Sequence, residues 1–403
     1  MTLLSDTKYL KRAGRYSDPL NSNDCLPVVY GDLTDGSLGN WVLPCIDNDG
    51  GGMNPVYCFA GHEVLSAANG NSITIYENDL ELNPALYTFD ELNDYEGLGD
   101  IAIITFTSPK TGSIITARGK GKPTATGGAT LMENIIDIVD DFLTVENDFT
   151  SALYDATYKT LASQIFTAQA YKAAGVIKED GVIWDIITEM MASFLGSAYR
   201  NGNDELVLEI DDGTISAYGA TIIRKSDASL VNAKLRLSNI INQCPANYAY
   251  DYVKGEFKSE TNDSAHADAI SQSIYGVREP NTPYQFYWCR DLTSVQKIQD
   301  IIVAKLKDPA YEIEIECPTL KQLHLDRGDV FIHSVDSLYE WSGLQLLNHY
   351  WRTISVKPDF QKAKINFRAL QTAYYMIIAY LADGTYLADG SVMAGGDRDE
   401  TVY

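Results

Sequence analysis

Basic residues are scarce in this sequence: 31 Lys and Arg stand against 55 Asp and Glu in 403 residues, a formal net charge of −24. That surplus argues against nucleic-acid backbones and anionic membranes as binding partners, because both are repelled. Long apolar runs are missing as well. The most apolar stretch, Ala373–Ala382 (AYYMIIAYLA), is about half the length that spans a bilayer, so no membrane insertion is expected of this chain. The opening MTLLSDTKYLKRAGRYSD lacks the continuous apolar segment of a secretory signal. Cysteine is sparse: six residues, Cys25, Cys45, Cys58, Cys244, Cys289 and Cys317, with no CxxC pair. The first three are the one grouping that leaves a metal or cluster reading open. Buried small hydrophobes are the favoured reading, with reduced thiols and a cytoplasmic site of synthesis.

Catalytic signatures are missing too. There is no GxxxxGK[ST] loop and no GxSxG elbow. His62-Glu63-Val64-Leu65 opens like a zinc-protease motif, but Ser66 stands where the second histidine belongs. Asp47-Asn48-Asp49-Gly50 lacks the ligand spacing of a calcium loop and reads as a turn. Glu189, Asp300 and other carboxylates offer a glycosidase pair only by number, since 55 acids make chance pairs inevitable. Only five histidines occur, and His324, His333 and His349 are not at the short spacing that sets two metal ligands side by side. The Arg327-Gly328-Asp329 triplet reads as a tight turn before a strand. No enzyme is expected, and no cofactor.

What is abundant is tyrosine, 26 against 12 Phe and 5 Trp. Tyrosine covers apolar area while keeping a polar tip, which suits wet protein contacts, and it is also a common strand residue. Residues 1–126 alternate as strands do, in Ser72–Tyr76 and Asp100–Phe106, between Gly/Asn turns, and predict a small barrel-like β domain. Residues 127–229 change period. Asn134–Leu143 places Ile135, Ile138, Val139 and Phe142 on one helical stripe, and a second amphipathic helix carries Ile183, Ile186, Ile187, Met190, Phe194 and Leu195. Residues 230–370 return to strands, including Tyr248, Tyr250 and Tyr252. One helix interrupts from Leu292 to Lys307, with Asp291 or Thr293 as its N-cap. Tyr311–Cys317 alternates strictly, one face apolar and the other carrying Glu312, Glu314 and Glu316. Residues 371–403 hold two copies of a hexapeptide, Tyr-Leu-Ala-Asp-Gly followed by Thr385 or Ser391, read as a hairpin arm and a tail. The class expected is α+β, mainly β: two small β-barrel-like domains with a helix-containing α+β domain between them.

Three stretches, in order, resemble the hub and tail-tip proteins of tailed bacteriophages. They are Leu26–Leu33 with Trp41–Pro44, then Asn134–Leu143 followed by helices and Asn201–Leu208, then Ser271–Glu279 with the 292–307 helix, the 311–317 strand and Leu325–Val330. In that family the Gly-Asp turn begins a strand of the second barrel and the helix packs across it. The resemblance implies a structural virion protein of the tail baseplate, a hub that joins the tail tube to the tip and lines the DNA exit channel. It also implies a homotrimer whose partners are other tail-tip and tail-tube proteins, with DNA only in transit. Some relatives hold an iron–sulfur cluster on four clustered cysteines; the spacing here departs from theirs. Subunit contacts are expected at Tyr248, Tyr250, Tyr252, Tyr380 and Tyr386, and a channel lining at Glu312, Glu314 and Glu316. The alternatives are a tail-associated cell-wall hydrolase and a carbohydrate-binding receptor protein using Trp288, Trp341 or Trp351.

Overall fold

A computed structural model describes residues 26–372, apart from 36–39, 48–53, 96–99, 109, 111, 151–153, 179–180, 202, 213–220, 326–328 and 340–344. The fold is α+β and mainly β, with five α-helices among the described residues. The hairpin region expected at 371–403 lies outside them, beyond Gln371 and Thr372.

Two four-stranded sheets build the first region. One runs Trp41–Val42, Ile115–Arg118, Thr74–Glu77, Leu80–Glu81; the other runs Cys45–Asp47, Val56–Ala60, Asp100–Phe106, Tyr87–Asp94. Trp41, Phe59, Ile75, Ile104, Phe106 and Ala117 fill the core they share. The alternation expected at Asp100–Phe106 is weaker than a half-exposed strand would show, because Ile101 to Ile104 are all buried. Both faces of this strand meet apolar neighbours, one in the shared core and one in a smaller cluster with Leu26, Val56 and Cys58. The ladders stay open and do not close into a barrel.

Helices α1 (Ile135–Thr144), α2 (Ala156–Ala168) and α3 (Ile183–Ala192) form the central region with the hairpin Gly196–Arg200 and Leu206–Ile210. Asn134 caps α1 through Ile136 N–H, and Asp155 caps α2 through the N–H groups of Thr157 and Tyr158. This core is not made from one stretch of chain. It takes Val28 and Tyr30 from the beginning, and Ala246, Phe286, Trp288, Val295, Ile298 and Ile302 from far downstream.

The join follows from strand periodicity. Strand Val28–Tyr30 pairs antiparallel with Gly175–Ile177. Val28 and Tyr30 enter the central core while Val29 enters the first, and opposite them Ile177 and Val176 divide the same way. One two-stranded ribbon is therefore a wall of both cores. Gly31, at φ +71°, lies so close to Ala173 and Ala174 that a Cβ would come within 2.2 Å of the Ala173 carbonyl.

The last region is a six-stranded sheet in the order Thr221–Ile222, Val330–Tyr339, Gln345–Asp359, Lys364–Gln371, Ala310–Cys317, Ser229–Arg236. Its own core contains Ile313, Ile315, Phe331, Trp351, Ile365 and Phe367. Its strand order differs from both sheets of the first region. Helix α4 (Ala269–Tyr275) is capped by Asp268, and α5 (Leu292–Leu306) by Asp291 through Ser294 N–H. The resemblance places the long helix across the strand that follows the Gly-Asp turn. Instead α5 turns Val295, Ile298, Ile302 and Val303 into the central core, beside the sheet of Glu256–Thr261, Ala246–Asp251 and Tyr284–Phe286.

Polar contacts join the six-stranded sheet to the central region. Arg352 donates to Glu209 at 2.7 Å and pairs with Asp211 at 3.9 Å, and Tyr158 Oη donates to Asp329 at 3.4 Å.

Candidate functional site

A cleft of about 450 Å³ opens beside the shared ribbon, lined by Lys178, Glu189, Tyr250, Tyr252, Lys254 and Trp288 among others. It brings together residues from three separate parts of the sequence. Tyr248 and Tyr250 lie on the strand Ala246–Asp251 and Tyr252 directly follows it, so all three would share one face if the backbone were straight. They do not. Tyr248 packs on the central core, whereas Tyr250 and Tyr252 pack on the first. Ala249, buried and at φ +59°, turns the backbone between them. Tyr250 then meets Tyr252, Phe257 and Tyr287 edge-on at centroid distances of 5.3, 5.1 and 4.9 Å. The rings expected at subunit contacts thus make extensive contacts within the chain. Tyr380 and Tyr386 lie outside the described residues.

Hydrogen bonds hold the cleft walls. Lys178 Nζ donates to the Tyr252 carbonyl at 2.5 Å, and Arg290 Nη1 donates to the Tyr250 carbonyl at 3.1 Å. Arg290 is buried, and desolvation pulls its pKa down against the opposing pull of Tyr252 and Asp251. Asp251 is the reverse case. Burial raises its pKa, but the Lys258 ammonium and the N–H groups of Lys254 and Val253 outweigh that and hold it below the ordinary value. Trp288, 2% exposed, donates its indole N–H to Glu189 at 3.2 Å. Desolvation raises the Glu189 pKa against the lowering effect of that bond.

These polar groups position the backbone and the aromatic rings. Asp300, the other carboxylate considered with Glu189, pairs with His266 at 2.7 Å and does not line the cleft. Trp288 and Trp351 are both buried and offer no open platform for a sugar ring, and Trp341 lies outside the described residues.

The remaining candidates have structural partners. His62 Nε2 accepts the Val29 N–H at 2.9 Å, which leaves the ring proton on Nδ1 to donate to the Glu63 carbonyl at 2.6 Å. The ladder sets His333 directly across from His349, a juxtaposition the sequence spacing hides, and His333 Nδ1 lies 2.8 Å from the Ile223 carbonyl oxygen. His324 is elsewhere, 3.0 Å from Thr221 Oγ1. Among the described residues no three His, Cys, Asp or Glu side chains are grouped to hold a metal. Cys244 and Cys317 are buried, which pushes their thiols up to about 12 and about 11 and removes thiolate reactivity. Cys25 is outside the described residues.

Glu312, Glu314 and Glu316 stand on the face opposite the buried Ile313, Ile315 and Cys317, as their alternation predicts. Their surroundings are basic. Glu312 pairs with Arg236 and Arg368, and Glu316 with Lys364 at 2.6 Å. Glu314 lies across from Arg368, and Glu312 across from Lys234. The acidic stripe of one strand becomes a mixed-charge face of three strands.

No family model matches the chain, and no curated protein is similar to it. Among solved structures, the fold is similar to the tail protein from Neisseria meningitidis MC58, at 11% identity and a TM-score of 0.33, over 75% of this chain and 96% of that one. It is also similar to the 43 kDa tail protein of prophage MuSo2 from Shewanella oneidensis, at 8% identity and a TM-score of 0.35, over 85% of this chain and 97% of that one. At these scores the likeness assigns neither topology nor role.

Proposed function

We propose that the chain is a structural component of a phage tail, the hub that joins the tail tube to the tip. It works as a homotrimer with other tail-tip and tail-tube proteins around the channel through which DNA leaves. The observation that carries this reading is the order of elements. An opening strand at Val28–Tyr30 precedes the helical block α1–α3 and the strand Leu206–Ile210, and α4, α5, Ala310–Cys317 and Val330–Tyr339 then follow. That is the order the sequence resemblance requires. The chemistry of the cleft supports the reading too, because Lys178, Arg290 and Glu189 anchor backbone and indole groups.

The mixed-charge face refines the channel argument. On a face turned to a lumen, Glu312 and Glu316 would present ion-paired carboxylates, which neither hold phosphates nor repel them strongly, beside the exposed Glu314. The test is to locate the chain in intact particles by antibody labelling and electron cryo-microscopy. Three copies at the junction of tube and tip are expected. A chain found on the capsid, or present in the assembled tip as a monomer, overturns the reading. So does clearing of peptidoglycan by the purified chain.

A further inference from the structure

Lys122, Asp141 and Glu146 meet at the junction of the first and central regions. Lys122 Nζ stands 2.7 Å from Asp141 Oδ2 and 2.9 Å from Glu146 Oε1. The three side chains are only 13, 10 and 2% exposed, so a primary amine is held against two carboxyl groups with little water around them. Tyr30, fully buried, donates its hydroxyl proton to the same Asp141 Oδ2 at 2.7 Å.

The backbone fixes each member. Lys122 N–H donates to the Val29 carbonyl, and the Lys122 carbonyl accepts from Met132 N–H, each at 3.0 Å. Asp141 lies in the last turn of α1. Glu146 lies just beyond that helix, where its N–H donates to the Asp141 carbonyl at 3.2 Å. A nitrogen this close to one carboxylate oxygen is also within about 3–4 Å of the carboxyl carbon, the range from which a bond can form. In water an amine and an acid remain a charged pair. In a dry site that pair is costly, and a neutral amide with release of water removes two buried charges.

We propose that Lys122 and Asp141 of the folded chain condense into an intramolecular isopeptide bond, with Glu146 as the proton carrier. The ion pair is the state that folding delivers, and the bond forms from it. The Lys122 ammonium passes a proton to Asp141 Oδ1, which leaves a neutral amine and a neutral acid. Nζ then attacks Cγ, and the Tyr30 hydroxyl holds the negative charge that develops on Oδ2. Glu146 takes one proton from Nζ and hands it to the Oδ1 hydroxyl; the Cγ–Oδ1 bond breaks and water leaves. Glu146 ends as it began, a carboxylate, now accepting the amide N–H. No oxidant or co-reactant enters. The bond ties the first region covalently to α1, and it does not depend on the tail assignment.

Mass measurement on the full-length chain, held folded at neutral pH, tests the idea. The unaltered chain is expected to be one water lighter than its sequence. Trypsin does not cut between Lys122 and Pro123, so residues 121–159 form one peptide that holds both partners. A second cut after Glu133 separates Lys122 from Asp141 unless the bond joins them, and the two fragments are expected to stay linked. In Lys122→Arg, which keeps the cation but cannot form this amide, they separate. In Glu146→Gln the link forms at least about tenfold more slowly. Fragments of the unaltered folded chain that separate at full mass overturn the proposal, whether or not the variants fold. A link from Lys122 to Glu146 in place of Asp141 overturns it as well. A Glu146→Gln chain that is folded by circular dichroism and links as fast as the unaltered one overturns the role given to Glu146.

Discussion

Helix α1 and strand Ala310–Cys317 both carry carboxylates at the spacing of their own element, and the fold treats them differently. In α1, Asp140 and Asp141 sit opposite an apolar face of Ile135, Ile138, Val139 and Phe142. Asp141 takes Lys122 Nζ and Tyr30 Oη, each at 2.7 Å, and Lys122 also reaches Glu146 at 2.9 Å. The Lys122, Asp141 and Glu146 side chains are only 13, 10 and 2% exposed. On the strand the partners are solvated, with Arg368 49% and Lys364 26% exposed. The first network ties the first region to the central one, where water is excluded and an unmatched charge is costly. The second neutralises a surface, where water already does most of the work. Similar acidic patterns thus differ in consequence through depth.

The comparison breaks most directly at Lys122. Lys122→Met leaves Asp141 and Glu146 without their cation in a dry site and should cost about 3–5 kcal/mol in urea unfolding. Lys364→Met on the strand face should cost less than about 1 kcal/mol. Equal losses from the two would erase the distinction drawn here.

The next effect concerns the apolar side of the same junction. Gly175 lies against the Trp288 ring, where a Cβ would come 2.6 Å from Cε3. Gly175→Ala should cost about 1–3 kcal/mol through overpacking, read as a lowered denaturant midpoint at unchanged slope.

A smaller contrast appears on acidification. Desolvation holds the Glu209 pKa above the ordinary value despite Arg352, so the folded state binds this proton first as pH falls. Its contribution therefore becomes more favourable as pH drops from the raised folded value toward the ordinary one. Hydrogen bonds from Lys110 and Ser113 hold Glu77 below the ordinary value, so its stabilisation is lost as pH falls through the folded value. The stability of the native chain minus that of Glu209→Gln should grow on acidification, and the difference for Glu77→Gln should shrink. Urea titrations across acidic pH check both signs.

The smallest effect is expected at the bend between the tyrosines. Ala249→Gly relieves a left-handed backbone but adds freedom to the unfolded chain, and a stabilising change under about 1 kcal/mol is expected. A loss above that would mean the Ala249 methyl packs to an extent that outweighs its backbone strain.

Much of the fold was legible in local patterns. The stripe Ile135, Ile138, Val139, Phe142 predicts α1 to within a residue, and Asp291 is the cap of α5 as its position suggests. The alternation of Tyr311–Cys317 gives both the strand and its two faces. Periodicity and capping act over a turn or two of chain, so short windows of sequence contain them. The candidate cleft was not legible in that way. Glu189, Tyr250 and Trp288 converge from positions far apart, and no spacing rule connects them.

Long-range pairing assigned everything else. Which core each face of Val28–Tyr30 joins depends on Gly175–Ile177 arriving beside it. Tyr248 and Tyr250 enter different cores because the chain around Ala249 is held bent, which a period of two does not anticipate. Glu312 and Glu316 read as an acidic stripe in one dimension, and Arg236, Arg368 and Lys364 neutralise them from neighbouring strands. The physical reason is the same throughout: propensity and capping act between near neighbours, whereas burial and ion pairing act between whatever residues the folded chain brings within a few ångströms.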